Sequence, residues 1–110
     1  MASLPELVGQ WDARQSTVNV NAGQSLQICA VNPYRLVLDV SVGDQSQFSV
    51  LQSLNYPLTG SGYYLERLQS KHFDWHHHAS LVNQGWQITN FSAATVEVTV
   101  FEVLKTQAGA

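Results

Sequence analysis

Cysteine occurs once, at Cys29, so no internal disulfide can form. Cys29 sits in an apolar, strand-like run and reads as a small buried hydrophobe rather than a nucleophile. A lone thiol suits a reducing compartment. Positive charge is scarce as well: Arg14, Arg35, Arg67, Lys71 and Lys105 are scattered, with no clustered basic footprint of the kind nucleic-acid binding requires. No apolar run approaches the roughly 20 residues of a membrane span. The opening Met-Ala-Ser-Leu-Pro-Glu-Leu lacks the basic and then apolar regions of a signal peptide. Without secretion, the glycosylation pattern at Asn90-Phe91-Ser92 is idle. Only 12% of residues are charged, and the net charge is −3. The wet positions are filled by Gln, Ser, Asn and Thr. A neutral polar surface suits coverage by partners, because few charges then need desolvating.

Helical periodicity is also missing. What is present is alternation. Leu36, Leu38, Val40 and Val42 recur every second residue, with Arg35, Asp39 and Ser41 between them, the period of a half-buried strand. Asn32-Pro33 marks the turn before it, since proline gives a ladder no N–H. Similar short strands are expected at Thr17–Val20, Leu26–Ala30, Phe48–Val50, Tyr63–Leu65, 71–79, Trp86–Thr89 and Thr95–Leu104. In the third of these, Phe48 and Val50 are expected to face inward and Gln47 and Ser49 outward. The last strand loses phase at Phe101 and Val103, which calls for a bulge or burial on both faces. Seven or eight strands, with a turn about every ten residues, predict an all-β, two-sheet antiparallel sandwich of jelly-roll or other Greek-key topology. A chain of 110 residues is one domain and buries roughly two-thirds of its unfolded surface. The expected division is an extended N-terminal arm over 1–16, a sandwich over 17–105 and a flexible tail over 106–110. Trp11 needs burial, on its own domain or on a neighbouring chain.

All four histidines lie in His72-Phe73-Asp74-Trp75-His76-His77-His78. On a strand, His72, Asp74, His76 and His78 share one face and Phe73, Trp75 and His77 the other. Same-face neighbours are about 7 Å apart, near enough for His76, His78 and Asp74 to hold one metal ion, with His72 in reserve. The plainer reading is a polar edge or interface strand, and it is the one adopted here, with no metal and no cofactor. Cupin enzymes, which are jelly rolls, follow their His-x-His with a nearby glutamate and glycines at set distances. Here no acid follows until Glu97, and Gly62 is misplaced. There is no Gly-x-Ser-x-Gly elbow for a hydrolase, and nothing selects a carboxylate pair for glycoside cleavage. Clustered histidines would repel one another once protonated, so a contact they form would depend on pH. The rings of Trp11, Tyr34, Tyr56, Tyr63, Tyr64, Trp75 and Trp86 could include a sugar-stacking platform, although most are expected in core or interface.

The order of features resembles the small β-sandwich proteins of tailed-phage virions. The matching residues are the Asn32-Pro33-Tyr34-Arg35 turn into an apolar strand and the Gly-rich stretch 58–62. Then come Leu81-Val82 leading to Trp86, and the closing Ala94-Thr95-Val96-Glu97-Val98 through Glu102-Val103. The size is most like capsid decoration (cement) proteins; head-fibre and neck components share the features. The resemblance implies a non-enzymatic structural protein, made in the host cytoplasm and placed on the capsid surface. It would bind the major capsid protein and associate with itself as a dimer or trimer, without contacting nucleic acid or membrane. Leu4, Leu7, Trp11, Tyr56, Tyr64, His72, His76 and His78 are the candidate interface residues. The competing readings are a cupin-like metal-dependent enzyme and a sugar-binding module.

Overall fold

The computed structural model describes residues 11–43, 48–54 and 62–105. Its elements are β1 (Trp11–Val20), β2 (Ser25–Cys29), β3 (Arg35–Val42), β4 (Ser49–Ser53), β5 (Tyr63–Leu65), β6 (Ser70–Asp74), a helical turn α1 (Ala79–Val82), β7 (Trp86–Asn90) and β8 (Val96–Lys105). One four-stranded sheet runs β1-β8-β3-β6 and the other β2-β7-β4-β5. Every ladder is antiparallel: β1 with β8, β2 with β7, β3 with β6, β4 with β5. The first strand thus pairs with the last, the second with the next to last, and so inward. This is one long double ribbon rolled on itself, and the β3–β8 and β7–β4 ladders close the roll. Such a roll is a jelly roll, or double-stranded β-helix. The expected all-β sandwich is therefore observed, and its topology resolved.

The core lies between the two inner faces. Leu38, Val40 and Phe73 of one sheet and Leu51, Leu65, Trp86 and Ile88 of the other are essentially without solvent contact. Phe73 and Trp86 stack at 4.7 Å between ring centroids, and Tyr63 meets Phe73 edge-on at 5.3 Å. Aromatic contact of this kind adds to the burial of large apolar area at the centre of the roll. Cys29 ends β2 against this cluster, and burial pushes its thiol pKa up, against thiolate formation.

Three places depart from the simple alternation. First, residues 11–16, expected in an N-terminal arm, belong to β1, paired from Trp11 with Lys105 to Ser16 with Val100, because β8 is long enough to template them. Residues 1–10 lie outside the described part, as does the tail 106–110. Second, a register shift between Arg35 and Val37 turns Arg35, not Leu36, into the interior. Its guanidinium donates from Nε to Glu102 at 2.7 Å and from its terminal nitrogens to the carbonyls of Ala30, Val82 and Gln84. This explains the phase loss in β8. Glu102 faces inward because its partner does, and the irregularity lies in β3. Third, β4 has the opposite phase from that expected. Ser49 and Leu51 are buried, and Phe48, Val50 and Gln52 face outward. Leu51 pairs with Ile88 and fills the core, so the other face takes Val50.

Asn90 is fully buried. Its Nδ2 donates to Val20 O at 2.9 Å and Ala94 O at 2.7 Å, and its Oδ1 accepts from Ser92 N and Oγ. Both amide hydrogens are engaged, so the sequence pattern at Asn90 is a turn lock and not a glycan acceptor in the folded chain.

Candidate functional site

The histidine stretch does not form the expected four-residue face. β6 ends at Asp74, where the chain turns. The Asp74 carboxylate accepts the His77 backbone N–H at 2.9 Å, and the Asp74 carbonyl accepts from His78 N at 2.7 Å. An aspartate capturing a backbone N–H three residues on competes with the ladder and stops the strand. Period-2 reasoning therefore fails beyond Asp74.

The side chains disperse accordingly. His72 lies on the outer face of the first sheet, with Nδ1 against the Asp39 carboxylate and Nε2 3.1 Å from Asp74 Oδ2. His77 Nδ1 sits 2.9 Å from Asp74 Oδ1. His76 stacks on Trp75 at 3.9 Å between centroids. His78 lies edge-on to Phe73, and its buried Nδ1 has no hydrogen-bond partner. The hydrogen bond to Asp39 raises the His72 pKa. The His77 backbone N–H is the chief cause of an Asp74 pKa lowered to about 2. The result is a chain of acid–imidazole pairs joining β3 to β6 and the following turn. Among the described residues no group of three or more His, Cys, Asp or Glu side chains could hold a metal ion. His72, Asp74, His76 and His78 thus do not fit a metal centre: one orphaned imidazole nitrogen is not a ligand set.

A different place has the shape of a site. The outer face of β2-β7-β4-β5 carries a groove of about 330 Å³, lined by Phe48, Val50, Gln52, Gly62, Tyr64, Thr89 and Phe91. The phase of β4 puts Phe48 and Val50 there, and β5 adds Tyr64, opposite Val50. Phe91 follows β7, held by its N–H to the Phe48 carbonyl at 3.0 Å. Phe48 touches both other rings, at 5.4 Å to Tyr64 and 5.7 Å to Phe91. Tyr64 and Phe91 are each 61% exposed. Gly62 lets β5 approach, since a Cβ there would come within 2.9 Å of Val50 Cγ1. Beside the rings lies a polar band. Gln87 Nε2 donates to Gln52 Oε1 at 3.3 Å, and the hydroxyls of Ser25 and Thr89 are 2.7 Å apart.

Among the described residues of the expected interface, only Tyr64 lies in this groove. Trp11 is half-buried in β1, and Leu4, Leu7 and Tyr56 lie outside the described residues. Sequence reasoning missed Phe48 and Phe91. The first was assigned to the core by the wrong phase of β4. The second directly follows β7, in a turn where alternation carries no signal.

The solved structures similar to this chain agree with the topology. A de novo designed double-stranded β-helix matches with a TM-score of 0.58 and 18% identity, covering 81% of this chain and 97% of the other. A cupin domain of an XRE-family transcriptional regulator from Enterobacter cloacae matches with a TM-score of 0.56 and 13% identity, covering 84% and 80%. A predicted oxalate decarboxylase from Thermotoga maritima matches with a TM-score of 0.58 and 12% identity, covering 93% and 74%. The fold is a double-stranded β-helix, the architecture these structures share. At these identities the likeness speaks for the fold alone. No protein-family model matches the chain, and no curated protein matches it. These neighbours overturn the expected role as a capsid cement protein. The features that carried it, an apolar strand after Asn-Pro and a valine-rich closing strand, are β3 and β8 of this roll.

Proposed function

We propose that this chain is a cupin-fold binding module for a small ligand, and that it works through the outer groove rather than through its histidines. One observation carries the reading: three aromatic rings, with Phe48 touching both Tyr64 and Phe91, stand exposed along a groove of about 330 Å³. That volume is at the lower end of the range of about 300–1,000 Å³ in which small ligands are held. Large rings left in water on an otherwise polar sheet gain most by being covered. The interior, by contrast, is filled by Trp86, Phe73 and Tyr63.

The test is saturation-transfer NMR with indole and catechol as probes, beside thermal unfolding with and without Zn²⁺, Mn²⁺ and Fe²⁺. The expected result is competitive binding of both probes, lost in Phe91→Ala, and no thermal shift with metal. A metal-induced rise in Tm that disappears in Asp74→Asn would support the second reading, a cupin-type metal-dependent enzyme, which the likeness to a predicted oxalate decarboxylase favours.

A further inference from the structure

The groove's chemistry narrows the ligand class, and this step rests on the binding-module reading above. We propose that the groove takes a neutral saccharide, with one pyranose ring on the aromatic platform and the chain of sugars continuing over the glutamine band. Three features point the same way. Among the described residues none of the side chains lining the groove is charged, so neither an anionic nor a cationic ligand finds a counter-charge among them. The platform is made of aromatic rings, whose negative π faces attract the C–H face of a pyranose. The polar band offers amides and hydroxyls, each both donor and acceptor, and these suit sugar hydroxyls, which are also both.

The register sets the order of contacts. Tyr64, Val50, Thr89 and Ser25 lie in one row across the sheet, since Val50 pairs with both Tyr64 and Thr89, and Thr89 with Ser25. The next row is Gln52, Gln87 and Gln27. A ligand lying along these rows meets the Tyr64 ring at the β5 side and hydroxyls and amides from β4 across to β2. The Gln52–Gln87 hydrogen bond, at 3.3 Å, is long for its type and can be exchanged for bonds to a sugar at little cost. Tyr64 is thus the stacking residue, and Gln52 the residue that reads hydroxyls.

The experiment is calorimetric titration of the full chain with cellotetraose and mannotetraose, and with trigalacturonate as the charged control. At least one neutral tetrasaccharide should bind. Tyr64→Ala should weaken it about tenfold or more and Gln52→Ala several-fold, while trigalacturonate binds far more weakly. Both positions are exposed, so the variants should keep the wild-type Tm, which is measured alongside. If neither neutral sugar binds while indole and catechol still occupy the groove, the saccharide proposal is wrong and the groove reading stands. If trigalacturonate binds as well as the neutral sugars, the charge argument is wrong. If Tyr64→Ala instead converts a dimer to a monomer and no sugar binds, the rings are a contact between two copies and both readings fall.

Discussion

Arg35 shows how one side chain can govern the end of this roll. It is 3% exposed, its partner Glu102 is 18% exposed, and it also ties down the carbonyls of Ala30 after β2, Val82 at the end of α1 and Gln84 before β7. Breaking a buried pair from one side leaves an uncompensated charge, so Arg35→Met should cost about 3–5 kcal/mol in urea unfolding. The double variant Arg35→Met with Glu102→Leu should recover part of that loss. A single variant as stable as wild type would remove the clamp. His72 gives a pH signature. Its pKa is raised from 6.5, chiefly by Asp39. The contribution to stability is fully present below 6.5 and fades as pH rises through the raised folded value. Asp74 acts in the opposite sense: its contribution is present above 3.8 and lost as pH falls toward about 2. In an NMR titration of the His72 ring, Asp39→Asn should bring the midpoint back down; an unchanged midpoint would contradict the assignment. None of this residue-scale detail was legible in the alternation of β3, because a bulge exchanges the faces of Arg35 and Leu36 and no composition signal marks a bulge.

At the scale of elements, the strands whose apolar residues alternate cleanly were readable and correct. Trp86 and Ile88 face in, with Gln87 and Thr89 out, and Tyr63 and Leu65 oppose Tyr64. β4 was misread because Phe48, Val50 and Leu51 are apolar in both phases, and only pairing with Ile88 decides between them. The histidine strand was read too long because Asp74 ends it by a side-chain bond that period-2 patterns do not contain. The β5–β6 turn holds a different strain. Leu68 has φ of 64° and is 75% exposed, a left-handed conformation that suits glycine or asparagine and not a branched apolar residue. Leu68→Gly should therefore stabilise the fold by about 1 kcal/mol, seen as a higher urea midpoint at unchanged slope. A lower midpoint would show that the leucine side chain is held by contacts that offset the strain. Gly62→Ala tests the neighbouring approach. Crowding Val50 Cγ1 should cost about 1–3 kcal/mol and shift the amide resonances of β4.

For the whole molecule, the histidine-rich segment braces the edge of one sheet, while the other sheet presents rings and amides to solvent. The all-β sandwich could be read from the sequence, but which surface does the work could not. Tyr64 was singled out, yet Phe48 and Phe91 join it only through the register of three strands. The central claim is that the uncharged aromatic groove on the outer sheet is where this protein meets its ligand. The most direct measurement is a residue-by-residue map of amide chemical shifts during titration of the isotope-labelled chain with a neutral tetrasaccharide. The account predicts changes concentrated at 48–52, 62–64 and 87–91. Changes centred on 72–82, or none on the outer sheet, would contradict it.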